Sequence, residues 1–404
     1  MSGFAAVVLF VVGVIGLVGA VNALRRPRPE RHPALQPWWL PAMLVAELIP
    51  IRIAFHAVIG VVAIWLGALE HPTGQIGVAL TVLTWIGYGV LQARAHRALP
   101  VLRRALAEIG IDDLEAEVEW RRALAGYPYR TPDHIEVLED VEYSDGLTLD
   151  LYRTAGHGKP IVVQIHGGGW RGGHKRQQAR PLLHRMARDG WLAASVSYPL
   201  SPQATFPDHL IALKRAIAFL RQNAAEFGGD GSFIAVTGGS AGGHLSALLA
   251  LTANRPEYQP GFESTDTSVQ AAVPLYGVYD FLNRNETRDN WPLIPRAVMK
   301  EPVDPDSPRY REASPLDQVH QDAPPFFVIH GTHDSLVRSD EARHFVDALR
   351  AESRSPVAYA EVPGATHAFD IAHSVRTHQV VSGVQAFLDE MAEQLRPSRH
   401  EIDS

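Results

Sequence analysis

Residues 238–242, Gly-Gly-Ser-Ala-Gly, restrict the fold of this 404-residue chain more than any other segment. They separate an apolar run of strand-forming residues, Phe233–Val236, from Leu245–Leu251, a run typical of a buried helix. A direct turn from a strand into a helix crowds the backbone, and glycines relieve that crowding. We therefore predict that Ser240 adopts a strained conformation at a helix N-terminus, where free N–H groups favour an anion. A phosphate-binding or purely structural turn is the alternative.

Apolar strands alternate with helices from about residue 140 onwards. Besides the strand before Ser240, the predicted strands are Val141–Tyr143 and Leu147–Tyr152 (a hairpin), Ile161–Ile165, Ala193–Tyr198, Ala271–Tyr276, Phe326–Ile329 and Val357–Val362. Besides the helix after Ser240, the predicted helices are Arg176–Arg188, Asp208–Asn223, Ser339–Ala351 and Arg376–Gln394. This alternation predicts the α/β class, with a mainly parallel, doubly wound sheet. Ligands of such sheets bind at the carboxyl ends of the strands, so functional residues are expected there.

A glycine-rich segment, His166–Trp170, directly follows the predicted strand Ile161–Ile165. Glycines allow backbone N–H groups to face a bound oxygen without interference from side chains. We predict that the amides of Gly167 and Gly168, together with that of Ala241, form an oxyanion hole. A structural glycine turn is the alternative.

Two further motifs at predicted strand ends offer an acid and a base. Asp334 lies in His330–Asp334 after one strand, and His367 lies in the loop after the last strand. A carboxylate can orient an imidazole, and the imidazole can take a proton from Ser240. The chain order Ser240, Asp334, His367 is typical of one of three unrelated arrangements of serine hydrolases. The alternatives are Asp317 or Asp340 as the acid, and zinc binding by His330 and His333, which lacks the usual accompanying helix.

Five motifs between about residues 141 and 388 resemble the carboxylesterase/lipase branch of the α/β-hydrolases related to hormone-sensitive lipase. They lie at 166–170 (His-Gly-Gly-Gly-Trp), 197–202 with Phe206-Pro207 (Ser-Tyr-Pro-Leu-Ser-Pro), 238–243, 330–334 and 364–367. The apolar N-terminus resembles that of membrane-anchored actinobacterial Lip-type esterases and of isoprenylcysteine methylesterases. Two departures favour a broader carboxylesterase grouping. Gly239 stands where the family often has Asp, and 197–200 departs from the frequent Asp-Tyr-Arg-Leu.

The resemblance implies a serine carboxylic-ester hydrolase that works through an acyl-enzyme and needs no metal or organic cofactor. In that role Ser240 is the nucleophile, His367 the base and Asp334 the orienting acid. The alternatives are an amidase, peptidase or acyltransferase of the same fold, an enzyme like the isoprenylcysteine methylesterases, and a non-catalytic membrane scaffold.

The predicted substrate is an ester of small to medium size, and a membrane-like N-terminus favours an amphiphilic one. The segment 279–325 is expected to form a partial cap, with Leu293 and Ile294 as walls. The candidate substrate contacts, for which core packing is the alternative, are Trp170, His244, Tyr276 and Trp291.

Residues 1–99 are predicted to anchor the chain in a lipid bilayer. Gly3–Leu24 carries no charge and is long enough to cross, while Ala54–Leu69 and Ile76–Leu91 would form a helical hairpin. Arginine clusters at 25–31 and 94–104 should stay in the cytoplasm, which predicts a multi-pass cell-membrane protein with a cytoplasmic catalytic domain. A single span, an interfacial hairpin and a cleaved signal peptide are the alternatives.

Residues 100–139 are predicted to be a helical linker and 140–398 the α/β-hydrolase domain. The linker should contain an amphipathic helix over 100–126, with Asp112 and Glu115 forming a capping box and Gly126 as terminator. Because the catalytic motifs follow residue 140, a chain beginning near Ala107 is expected to be soluble and active. The net charge of −7 gives no reason to expect nucleic-acid binding, and the absence of cysteine excludes disulfides. No pattern indicates the oligomeric state.

Overall fold

The fold is built on one eight-stranded sheet, seen in a computed structural model that describes residues 1–25, 38–125, 130–288 and 292–395. The strands are β1 (Glu136–Ser144), β2 (Leu147–Arg153), β3 (Lys159–Ile165), β4 (Leu192–Val196), β5 (Gly229–Gly239), β6 (Ala271–Leu275), β7 (Phe326–Gly331) and β8 (Val357–Val362). Their order across the sheet is β1-β2-β4-β3-β5-β6-β7-β8. β2 pairs antiparallel with both β1 and β4, and all other neighbours are parallel. The predicted mainly parallel α/β fold is confirmed.

Helices cover both faces of the sheet, which explains why its central strands are apolar throughout. The helices are α1 (Ser2–Leu24), α2 (Trp39–Glu47), α3 (Ile49–Trp65), α4 (Pro72–His96), α5 (Ala98–Ala107), α6 (Trp120–Ala125), α7 (Arg180–Arg188), α8 (Asp208–Asn223), α9 (Ala241–Leu251), α10 (Pro308–Glu312), α11 (Ser339–Glu352) and α12 (Val375–Leu395). One core packs α8, α9 and α11 against the sheet, and the other packs α5, α7 and α12. Successive residues of β3 alternate between these cores, with Val163 in the first and Val162 in the second.

The N-terminal helices bury small residues and expose large apolar ones. In α1 the buried positions include Gly13 and Gly16, whereas Phe4 and Ile15 are mostly exposed. Glycine allows α1 to lie directly against α4, because a Cβ atom at Gly13 would come within 2.9 Å of the Gly77 carbonyl oxygen. Close contact through small residues is typical of helices that pack in a bilayer.

Among the residues that the structure describes, two helical stretches, Ser2–Leu24 and Pro72–Ala107, are long and apolar enough to cross a membrane. The count becomes three if α2 and α3, which meet at a bend of 83°, are taken as one broken span. The three predicted apolar stretches fall largely in α1, α3 and α4, although the residues after Trp65 form a turn.

The predicted linker helix over 100–126 is wrong. α5 ends at Ala107, and the chain from Ile111 to Glu119 has no regular secondary structure before α6 begins. Tertiary contacts override the capping pattern at Asp112, because Ile111 and Leu114 are buried in the second core. The predicted terminator Gly126 lies outside the described residues.

Candidate active site

Ser240 stands alone between the last residue of β5 and the first residue of α9, with φ 58° and ψ −119°. The flanking glycines are required by close backbone contacts. A Cβ atom at Gly242 would lie 2.0 Å from the carbonyl oxygen of Ile165, and one at Gly238 would lie 2.5 Å from the same oxygen. The backbone therefore holds the serine in a strained conformation at the carboxyl edge of the sheet, at the N-terminus of a fully buried helix.

Asp334 and His367 meet at the same edge, after β7 and β8. His367 Nδ1 lies 2.6 Å from Oδ2 of Asp334, and both residues are buried. The other carboxylate oxygen accepts hydrogen bonds from the amides of Leu336 at 2.9 Å and Val337 at 3.0 Å. Burial alone would raise the pKa of Asp334, but His367 and His330 outweigh it and hold the pKa well below its usual range. The carboxylate is thus ionised and fixed in position.

The alternative acids lie elsewhere. Asp340 pairs with Arg343 on the surface, and Asp317 pairs with Arg284. His330, the alternative zinc ligand, instead donates from Nε2 to the carbonyl oxygen of Val337 at 2.8 Å. His333 is bonded through Nδ1 to the Thr332 hydroxyl at 2.9 Å.

Tyr276 connects the serine turn to the histidine. Its ring packs edge-on against that of His367, with centroids 4.9 Å apart, and its hydroxyl donates to Asp370. A Cβ atom at Gly239 would lie 2.2 Å from that hydroxyl. Gly239 therefore replaces the family's frequent Asp because Tyr276 occupies the space that a side chain would need. Burial and the nearby Asp370 carboxylate raise the pKa of Tyr276, so the phenol is neutral.

The glycine-rich loop after β3 contacts the serine, since a Cβ atom at Gly167 would lie 3.2 Å from Cβ of Ser240. The amide of Gly167, however, donates to Oε1 of Gln178 at 2.7 Å. No hydrogen bond among the described residues uses the amides of Gly168 or Ala241. Two of the three predicted oxyanion donors, the amides of Gly168 and Ala241, can therefore donate to a bound oxygen. The third, the amide of Gly167, holds the loop in place through Gln178.

Trp170 and His244, two predicted substrate contacts, lie in the core beneath this loop. Trp170 donates from Nε1 to Nδ1 of His244 at 3.3 Å, and His244 Nε2 lies 2.7 Å from the carbonyl oxygen of Ala313. Burial lowers the pKa of His244 to about 3, so the ring is neutral and its two nitrogens use one donor and one acceptor. Both side chains are buried, and their predicted role as substrate contacts stays a prediction.

The cap segment reaches the loop through Leu293, whose Cδ2 would lie 3.0 Å from a Cβ atom at Gly169. Ile294, the other predicted wall residue, is buried in the first core. Trp291, the fourth predicted substrate contact, lies outside the described residues.

The N-terminal helices also reach the site, which sequence analysis missed. The ring of Trp39 packs edge-on against His367 at 5.6 Å, on a ring that also contacts Tyr276. Arg94 on α4 donates to the carbonyl oxygen of Leu24 at 2.9 Å and lies 3.4 Å from Nε2 of His333. In the sequence, Trp39 is marked only as part of the pair Trp38-Trp39 before an apolar stretch. Such a pair is equally typical of a membrane interface.

Comparison with known proteins agrees with this geometry. The family model BD-FAE matches residues 149–349. The chain is 40% identical to the probable carboxylic ester hydrolase LipM of Mycobacterium tuberculosis, over 80% of both chains. It is 41% identical to esterase LipQ of the same organism, over 82% of this chain and 84% of LipQ. The chain belongs to the Lip-type carboxylic ester hydrolases. Both the resemblance drawn from the motifs and the predicted enzyme class are thereby confirmed.

The similarity between this Lip-type hydrolase and LipM extends beyond the sheet domain. A match over 80% of the chain is longer than the segment from 140 to 398, so it must include part of the region before residue 140. Esterase 2 of Thermogutta terrifontis, a solved structure, is 25% identical with a TM-score of 0.52. It covers 66% of this Lip-type hydrolase and is itself covered to 97%, which agrees with an α/β-hydrolase domain of about that size.

Proposed function

We propose that Ser240, His367 and Asp334 form the catalytic triad of this ester hydrolase. The observation that carries the proposal is the 2.6 Å contact between Nδ1 of His367 and Asp334, at the sheet edge that presents Ser240. An imidazole that donates from Nδ1 to a carboxylate keeps the lone pair of Nε2 for the proton of a serine hydroxyl.

The reaction then runs through an acyl-enzyme. Ser240 Oγ attacks the ester carbonyl carbon as His367 takes its proton, and the amides of Gly168 and Ala241 stabilise the oxyanion. His367 passes the proton to the leaving alcohol. Water then attacks the acyl-enzyme, again with His367 as base, and releases the acid. Asp334 stabilises the imidazolium in both steps, and these steps require no metal or organic cofactor.

We further propose a small-molecule ester substrate, amphiphilic rather than fully water-soluble. Support comes from Trp39, which packs against His367, from Leu293, which lies against the glycine-rich loop, and from the apolar N-terminal helices that carry Trp39. Trp170 and His244 would then support the oxyanion loop instead of touching substrate. Trp291 remains a candidate contact on sequence alone.

We propose that α1 to α4 lie in the bilayer and that the catalytic domain, from about residue 140 onwards, is cytoplasmic. Support comes from the arginines at 25–31 and 94–104, which are disfavoured outside the cell. A C-terminal fluorescent-protein fusion should be fluorescent and an alkaline phosphatase fusion inactive. Strong phosphatase activity would place the domain outside.

The triad is tested by replacing its members in the full chain and measuring turnover of p-nitrophenyl esters. Ser240→Ala should abolish turnover and fluorophosphonate labelling while the protein remains folded. Asp334→Asn should lower turnover on the order of 10⁴-fold, as loss of the orienting carboxylate does in serine proteases. Asp340→Asn is the control and should change little. Comparable, mild effects of the two Asp variants would mean that another group orients His367.

A further inference from the structure

A cavity of about 530 Å³ lies among the helices that precede the sheet, and Ser374 and Val375 of the catalytic domain contribute to its lining. Helices α2, α3, α4 and α6 form its walls, and the start of α12 closes one end. Twelve of its sixteen lining residues are apolar. A cavity of this size and lining is suited to a hydrocarbon ligand rather than to a charged metabolite.

The cavity opens onto an apolar surface. Its lining includes Ile53, Trp85, Trp120 and Leu124, each between 38% and 59% exposed. The surrounding outer faces of α3 and α4 continue the apolar surface with large exposed residues such as Val61 and Ile86. A contiguous apolar surface on helices long enough to cross a membrane is expected to face lipid. The mouth of the cavity would therefore open into hydrocarbon.

The inner end of the cavity is polar but closed. Glu47 and Ser374 line it, and the Ser374 hydroxyl donates to Oε2 of Glu47 at 2.6 Å while Arg376 pairs with Oε1. None of Ser240, Asp334 and His367 is among the described residues that line the cavity. A ligand in the cavity would thus end at the Glu47 carboxylate, which already has hydrogen-bond partners. It would not reach Ser240, Asp334 or His367.

We propose that this cavity binds one acyl chain of a bilayer phospholipid that is not hydrolysed. The proposal rests on the bilayer location proposed above for α1 to α4. A chain entering from the surrounding hydrocarbon would fill the apolar walls and stop at Glu47.

Two helical glycines provide a matched pair of variants. Gly89 lines the cavity, Gly60 lies on α3 outside it, and a Cβ atom at either would meet no other atom within 4 Å. Gly89→Phe should therefore place a phenyl ring at the cavity without backbone strain. Gly60→Phe adds the same ring elsewhere on the apolar surface. Turnover of a short ester by each variant reports whether the catalytic domain is folded.

The full-length protein is reconstituted in phosphatidylcholine vesicles containing a phospholipid with a diazirine at the end of one acyl chain. After flotation and irradiation, labelled peptides are identified by mass spectrometry. We expect labelling of α4 and α6 at the cavity in the unmodified protein and in Gly60→Phe. In Gly89→Phe we expect this labelling to be at least roughly tenfold weaker, because the added ring would occupy space that the acyl chain needs.

Four outcomes would overturn the proposal, and each has a different meaning. Equal labelling of the two glycine variants would show that the cavity is not the binding site. Labelling that disappears in Ser240→Ala would assign the chain to a substrate held by the reacting serine. Failure of the protein to float with vesicles would reject the bilayer location as well, whereas flotation without cavity labelling would reject only the lipid site. Ala54→Phe, at a second lining residue, should reproduce the loss seen with Gly89→Phe.

Discussion

Replacing Glu47 by Gln should destabilise the catalytic domain although Glu47 lies on a different part of the chain. Glu47 and Arg376 form an ion pair in which both side chains are completely buried. The guanidinium has few other partners: Nη2 contacts the Pro363 carbonyl oxygen at 3.5 Å, and Nε has no hydrogen-bond partner among the described residues. Glu47→Gln would therefore leave a buried cation without a counter-charge.

The expected loss of stability follows from the difference between removing one partner of a buried ion pair and replacing both partners. Removing one partner of such a pair costs about 3–5 kcal/mol, because the remaining charge stays desolvated. Replacing both partners with apolar residues of similar size is often neutral or stabilising. Glu47→Gln should thus lower the free energy of unfolding by about 3–5 kcal/mol. The double variant Glu47→Leu, Arg376→Met should recover most of that loss.

The assay is denaturant unfolding of the full chain in detergent micelles, followed by loss of ester turnover and by circular dichroism. Asp133→Asn is the control, since the Arg130–Asp133 pair is 82% and 88% exposed and should contribute no more than about 1 kcal/mol. A loss below about 1 kcal/mol for Glu47→Gln would refute the argument, because it is the value of an exposed pair. A double variant as unstable as the single one would show that the stranded charge is not the cause.

Two further predictions concern the histidines. Trp39→Ala should lower kcat/KM for esters by roughly two- to thirteenfold, because the lost edge-on contact with His367 is worth about 0.5–1.5 kcal/mol. Trp38→Ala is the matched control, and equal effects of the two would contradict a positioning role. Secondly, the protein should lose stability in mild acid. Burial lowers the pKa of six histidines from about 6.5, to about 4 in His166, His209, His373 and His378 and to about 3 in His184 and His244. Below pH 6.5 the unfolded chain binds protons that the folded chain does not, so the free energy of unfolding should fall between about pH 6.5 and 4 by up to about 1.4 kcal/mol per pH unit and histidine. Urea midpoints that stay constant from pH 7 to pH 5 would contradict this.

The parts of the site that could be predicted are those fixed by short stretches of chain. The turn at Ser240 follows from a glycine pattern whose close contacts are all within a few residues or with the adjacent strand end. The sequence could bring Asp334 and His367 together because parallel strands place the residues after their carboxyl ends at one edge. Their contact requires only that β7 and β8 be neighbours in the sheet, as is usual for two parallel strands joined by one helix.

The parts that could not be predicted depend on contacts between distant residues. The amide of Gly167 is taken by Gln178, a residue that belongs to no motif. Glu47 interrupts an apolar stretch, and nothing local indicates that its counter-charge is Arg376, 329 positions away. The predicted helix over 100–126 is wrong for the same reason, because burial of Ile111 and Leu114 outweighs a capping pattern worth about 1 kcal/mol.

These contacts change the expectation for a truncated chain. A protein beginning at Ala107 would lack α5, whose Leu102 and Leu106 are completely buried in the core that α5 shares with α12. Each buried leucine contributes about 1.5–3 kcal/mol, a large share of an ordinary domain's stability. It would also lack Glu47, which leaves Arg376 unpaired. We therefore expect this chain to aggregate instead of remaining soluble and active.

A chain beginning at Ala98 distinguishes the loss of α5 from the loss of the Glu47 counter-charge, because this chain keeps α5. The substitution Arg376→Met in the same chain also removes the unpaired charge. The resulting protein should be soluble and should hydrolyse short esters. Its turnover should still fall below that of the full chain, because Trp39 no longer packs on His367. Soluble yield, circular dichroism and p-nitrophenyl acetate hydrolysis of both chains are the measurements. A chain from Ala107 that is soluble and fully active would mean that the N-terminal helices only anchor the enzyme. Activity confined to the Ala98 chain would make α5 part of the catalytic domain and α1 to α4 a separate layer that adjusts the catalytic base.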